Sequence, residues 1–232
     1  MSHIYVTGDT HGTLDYHKLG MSEWPSQKFL TKDDYLIICG DTAMRWNHKV
    51  EGEDKFLIDW YNNKPFTTLF VDGNHENHDA LMSYPVEIWN GGKVHKLADS
   101  VYHLMRGQVF TIDGLKFFTM GGAQSTDKMY RTEGVSWWAG EMPTMAEMEE
   151  GIANIYANGC KVDYVITHDC GTSLHDLLAT YHMEADAVTQ YLDFVEFDIP
   201  LQFTHWYFGH HHLDKKIDDK HTCLYDKIEQ IC

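Results

Sequence analysis

The chain has 232 residues, 43% of them hydrophobic and 13% aromatic, which excludes a disordered polymer and leaves enough apolar surface for a folded core. With 35 Asp+Glu against 18 Lys+Arg, the formal net charge of -17 excludes a general binder of polyanions or anionic membranes. Five cysteines without a CxxC pair, no apolar stretch of membrane-spanning length and no signal-peptide pattern predict a reduced, cytoplasmic chain with no membrane partner.

Taken in chain order, short apolar runs rich in β-branched and aromatic residues predict strands over 3–7 and 35–39, then a helix over 55–62 and a strand over 66–71. Three further runs, 101–105, 108–112 and 115–120, are separated by Arg106-Gly107 and Asp113-Gly114, which predicts a meander. A helix is predicted next over 143–158, with Pro143 suited to its first turn and Gly159 to its end. A strand over 162–167, a helix over 185–194 and a strand over 203–208 complete the pattern. Strands at both ends with helices between them predict an α/β fold of two facing sheets flanked by helices. No linker or repeat divides the chain, so residues 1–232 are read as one domain.

The polar residues at the carboxyl ends of the predicted strands are the informative feature. The runs are succeeded by Gly8-Asp9-Thr10-His11-Gly12, Gly40-Asp41, Asp72-Gly73-Asn74-His75-Glu76, His168-Asp169 and Gly209-His210-His211-His212. Singly, such Asp and Asn residues are turn formers or helix caps. Together they are a set of oxygen and imidazole donors suited to first-row divalent metals, placed at the strand ends where layered α/β folds build sites. The neighbouring glycines permit close approach of the backbone to a ligand.

These blocks resemble those of the calcineurin-like metallophosphoesterases, GDxH, GD, GNH[ED], a lone His and GHxH, in the same order and across nearly the whole chain. The resemblance implies a four-layer α/β/β/α sandwich of two facing mixed sheets flanked by helices. It implies two divalent metal ions: one on Asp9, His11, Asp41 and His212, the other on Asp41, Asn74, His168 and His210, with Asp41 shared. It further implies a metal-bridging hydroxide that attacks phosphorus, with metal-free His75 as the catalytic proton donor to the leaving group. Manganese is the first expectation, and the same donors admit iron, zinc, cobalt or nickel.

The match departs from the protein Ser/Thr phosphatase branch, whose second block reads GDxxDRG. Here the stretch is Gly40-Asp41-Thr42-Ala43-Met44-Arg45-Trp46. Arg45 holds the position that in that branch clamps substrate phosphate and is the predicted substrate-binding residue. Met44 replaces the Asp that orients the catalytic His, which disfavours a protein phosphatase; Glu76 or Asp79 is left to orient His75, unless both are solvated loop carboxylates. The loop from Gly121-Gly122 through Lys128 and Arg131 reads equally as a phosphate cradle or a surface turn. Histidines outside the blocks, His182 among them, are read as surface or satisfied interior residues.

The expected substrate is a small phosphomonoester or phosphodiester. The charge offers no basic stripe for an extended nucleic acid, and nothing in the sequence sets the oligomeric state. The alternatives are protein-phosphatase-like activity and a non-catalytic metal-binding scaffold with the same fold. A structural zinc protein, which needs a closed site dominated by Cys and His, is disfavoured, because these blocks supply Asp and Asn donors.

Overall fold

The computed structural model describes residues 2–178 and 184–232; His182 lies outside them. Two mixed sheets face each other. The first has seven strands. Its centre is parallel: β1 (Ile4–Thr7), β2 (Tyr35–Ile38) and β3 (Thr67–Phe70) run side by side, with Thr7 level with Ile38 and Ile38 with Phe70. On one flank lie β6 (Val101–Leu104), β5 (Gly92–Ala98) and β4 (Val86–Trp89), and on the other β13 (Ile228–Gln230), antiparallel to β1.

The second sheet has six strands in the order β11-β12-β10-β9-β8-β7. In it β8 (Leu115–Met120), β9 (Tyr164–Thr167), β10 (His205–Phe208) and β12 (His221–Cys223) are parallel, while β7 (Gln108–Ile112) and β11 (Lys215–Lys216) form antiparallel edges.

The two-residue period of the strands divides their side chains among three cores. Ile4, Val6, Ile37 and Leu69 meet Phe110, Phe117, Ile166 and Tyr207 between the sheets. The other face of the first sheet, with Leu36, Ile38 and Phe70, packs on Leu57, Ile58 and Tyr61 of α1 (Gly52–Asn62) and Leu81 of α2 (His78–Met82). The outer face of the second sheet is covered by α3 (Met145–Ala157), α4 (Thr172–Leu178) and α5 (Ala187–Phe197). This is the predicted α/β/β/α sandwich.

Two local expectations change. The hairpin at Asp113-Gly114 forms, with both residues at positive φ. Arg106-Gly107 instead carries the chain from one sheet to the other, so the predicted meander is split between them. The cause is long-range: Arg106 is buried, and its guanidinium bonds Asp72 and the Gly140 carbonyl. Helix α3 starts after Pro143, at a capping box in which Thr144 and Glu147 exchange hydrogen bonds.

Candidate metal centre

Parallel pairing brings the carboxyl ends of β1, β2 and β3 to one edge of the first sheet, and those of β9 and β10 to the matching edge of the second. The loops that leave these ends are stitched to one another. The His11 amide donates to the Asp41 carbonyl at 2.8 Å, the His75 amide to Asp41 Oδ1 at 2.7 Å, and the His210 amide to Asp9 Oδ1 at 3.0 Å. Across the sheets, the His168 ring reaches the Cys39 carbonyl through Nδ1 at 2.7 Å.

Asp9, His11, Asp41, His168, His210 and His212 thereby converge. Donor atoms of Asp9, His11 and His212 all lie within 4.8 Å of one another, as do those of Asp41, His168 and His210, and those of His11, Asp41 and His75. Asp41 is common to two of these groups. Asn74 Oδ1 stands 3.2 Å from His168 Nε2.

Asp9 Oδ2 and His11 Nε2 are buried without a hydrogen-bond partner, although His212 Nε2 approaches Asp9 Oδ2 at 3.3 Å and His11 Nε2 lies 3.4 Å from Asp41 Oδ2. Atoms so close and yet misaligned for hydrogen bonding point toward a common centre, and the orphaned donors fit divalent ions.

The backbone supports the same reading. His11, Asp41, His210 and His212 all have positive φ, an uncommon conformation for such residues that concentrates at functional sites. The glycines make room for the ligand side chains themselves. A Cβ on Gly73 would fall 2.1 Å from Asp41 Oδ1, on Gly40 2.2 Å from His168 Nδ1, and on Gly209 2.2 Å from Asp9 Oδ1.

The electrostatics call for positive charge. Burial pushes the Asp41 carboxyl up, but His168 and His11 outweigh it and hold Asp41 well below the carboxylate range. Against the same burial, Asp41 and Asp9 raise His11 to about 9 and His168 to about 10. His210 moves the other way, to about 4, because burial dominates there.

Several supporting residues carry no motif. Buried Lys18 donates from Nζ to the Asp9 carbonyl at 2.6 Å and also bonds the Gly8 and Tyr225 carbonyls. Asp15 Oδ2 takes His11 Nδ1 at 2.6 Å and the Tyr225 hydroxyl at 3.0 Å, while Tyr225 stacks on His212. A carboxylate on the far ring nitrogen is the usual way a ligating His is oriented. The one sequence signal for this was the four-residue spacing of His11 and Asp15.

Arg45 departs from expectation. Both it and its partner are buried: its guanidinium bonds Asp54 at 2.5 Å and the Asn47 carbonyl at 3.0 Å, and this placement gives a phosphate clamp no support. Met44 lies in the core against α1.

Neither Glu76 nor Asp79 hydrogen-bonds His75 among the described residues. Glu76 is buried and accepts from the Thr42 amide and hydroxyl, and Asp79 is exposed. The group beside His75 is Arg131, with its two terminal nitrogens 3.3 Å from the two ring nitrogens, while its Nε and one terminal nitrogen also reach half-exposed Asp127 at 2.8 Å. Burial, with a further contribution from Arg131, holds His75 below its ordinary value. Lys128, by contrast, pairs with buried Glu141, which also accepts from Ser125; the Ser125 hydroxyl in turn receives Asn74 Nδ2. The Gly121-Gly122 loop therefore fixes Asn74 and delivers Arg131. A cavity of about 510 Å³ opens beside His11 and His75, walled by Leu14, Trp46, Asn47 and Glu53.

The sequence profile of calcineurin-like phosphoesterases matches residues 2–214. Among curated proteins, the chain is similar to the lariat debranching enzyme of Schizosaccharomyces pombe (strain 972 / ATCC 24843), 28% identical over 134 residues, which is 53% of this chain and 26% of that protein. The chain thus spans about a quarter of the length of the curated relative it matches.

Proposed function

Because the chain belongs to the calcineurin-like phosphoesterase family, we propose that it is a single-domain hydrolase cleaving small phosphate esters at a centre of two divalent metal ions. The convergence of Asp9, Asp41, His11, His168, His210 and His212, with Asp9 Oδ2 and His11 Nε2 buried and unpartnered among them, carries this reading. Asp9, His11, Asp41 and His212 would hold one ion, and Asp41, Asn74, His168 and His210 the other, with manganese the first choice. When bound, such ions supply an activated nucleophile and neutralise phosphoryl oxygens.

The chain's own residues do the rest. Arg131 receives the substrate phosphate at the mouth of the site, in the role expected of Arg45. Its move from the His75 ring to an anion removes the positive charge that disfavours protonated imidazole, so His75 gains its proton as substrate arrives and delivers it to the leaving oxygen. The neighbouring cavity takes the organic part of the ester. Its Glu53 carboxylate disfavours a second phosphate there, which supports a compact substrate over an extended nucleic acid. The similarity to a debranching enzyme supports a diester within that class.

The test is turnover by manganese-loaded full chain of bis(p-nitrophenyl) phosphate and p-nitrophenyl phosphate, followed by phosphomonoesters, cyclic nucleotides and dinucleotides. Hydrolysis of at least one class is expected. A folded, metal-bearing protein inert toward all of them would overturn the proposal in favour of a non-catalytic scaffold.

A further inference from the structure

Immediately behind the candidate centre lies a second cluster of donors that hydrolysis does not use. Asp169 and Cys170 come directly after β9, His175 sits on α4, and His211 lies between the proposed ligands His210 and His212. One donor atom from each of the four lies within 4.8 Å of the others. His175 Nε2 is 2.9 Å from Asp169 Oδ1, His211 Nε2 is 3.0 Å from the same oxygen, and Cys170 Sγ is 3.7 Å from His211 Nε2.

A hydrogen-bonded hub accounts poorly for this geometry. Asp169 Oδ1 already accepts the Cys170 amide at 2.7 Å, so two imidazole donors would make three on an oxygen with two lone pairs. Meanwhile Asp169 Oδ2 has His210 Nε2 no nearer than 4.0 Å. Nor is this a thiol nucleophile beside its base, because Cys170 is fully buried.

We infer that Asp169, Cys170, His175 and His211 form a separate, closed metal site for a thiolate-preferring ion of the zinc class. Tetrahedral zinc with bonds of about 2.0 to 2.3 Å sets its ligand atoms about 3.2 to 3.7 Å apart. The Cys170 to His211 spacing of 3.7 Å falls in that range, and the two imidazoles, at 2.9 and 3.0 Å from Asp169 Oδ1, would move outward by a few tenths of an ångström to admit the ion. Mixed S, N and O donors select zinc over the hard cations, and four protein ligands leave no position for substrate. One carboxylate and one thiolate balance the charge of a dication, so its burial leaves no net charge. The ion would tie the end of β9, helix α4 and the loop after β10 together, and two of these segments also carry His168, His210 and His212. Its role is to position those ligands; it takes no part in the chemistry.

Cobalt alone, added to chelator-stripped full chain, tests the assignment. No cysteine joins the other donor groups among the described residues, so a thiolate-to-cobalt charge-transfer band in the near ultraviolet reports this site only. The band is expected in the unsubstituted protein, is retained in Cys223→Ser and is lost in Cys170→Ser, where elemental analysis finds one ion fewer per chain. If Cys170→Ser does not fold, His175→Gln keeps the thiolate and is expected to shift and weaken the band. No band at saturating cobalt, a band that persists in folded Cys170→Ser, or one unchanged in His175→Gln overturns the inference. The band is read without turnover, so failure of the phosphoesterase reading leaves this result intact.

Discussion

His75 and Asp41 are neighbours in space with different duties, and substitution separates them. His75→Gln is expected to keep its metal content while turnover falls by about 10²- to 10⁴-fold, the usual worth of a proton donor. Asp41→Asn is expected to lose metal and activity together, because Asp41 belongs to two of the donor groups. Elemental analysis beside kinetics distinguishes them, and equal metal loss in both would mean that His75 is itself a ligand. Arg131→Met is expected to lower kcat/KM by about 10- to 100-fold through loss of a charge-assisted contact, while Arg45→Met acts on stability. The residues that carry donors were legible because each directly succeeds an apolar run. Arg131, Lys18 and Asp15 were not, because their partners lie in other loops: Arg131 meets His75 across 56 positions of sequence.

At the scale of elements, close approach and burial decide what a substitution costs. Gly73→Ala places a methyl 2.1 Å from Asp41 Oδ1 and is expected to abolish metal binding with little change in far-ultraviolet dichroism. Gly114→Ala, with nothing within 4 Å of its Cβ, is expected to spare the centre despite backbone strain in its turn.

The paired strands β5 and β6 hold a different device. His95 stacks on His103, and burial, reinforced by the charge of His103, lowers His95 to about 4 from its ordinary value of 6.5. Unfolded chain therefore binds a proton that the folded chain refuses. Stability from this group is complete above pH 6.5 and is lost as pH falls toward 4, by about 2 kcal/mol at pH 5. Urea midpoints at pH 7.5 and 5, compared between the protein and His95→Gln, check the sign: the variant is expected to lose less. The central strands were legible from their apolar runs, whereas β4 was not, because Val86, Glu87 and Ile88 are exposed on a sheet edge. The sheet switch at Arg106-Gly107 was hidden too, since it carries the local chemistry of a hairpin and is decided by Asp72, 34 positions away.

For the whole molecule, the proposed ions bridge two sheets that otherwise meet through an apolar interior and a few hydrogen bonds, such as that of His168 to the Cys39 carbonyl. Chelation is expected to lower Tm by roughly 5–10 °C for each ion removed, since metal at about a hundred times Kd adds about 2.7 kcal/mol per site to a fold of this size. An unchanged Tm would show that the sheets hold together without them. The chain's -17 charge is compatible with phosphate substrates, because on the proposed reading the attraction is concentrated at two ions and Arg131.

The order in which the donors occur along the chain also constrains biosynthesis. Asp9 leaves the ribosome some 200 residues ahead of its counterpart His212, and β1 as far ahead of the strand β13 that pairs with it. A nascent chain ending after β6 would present Asp9, Asp41 and Asn74 with none of the imidazoles from the second sheet. With the proposed ligand set, metal capture at the complete centre would wait until the loop after β10 has been made, and a polypeptide stalled before residue 212 would leave divalent ions unclaimed at that centre.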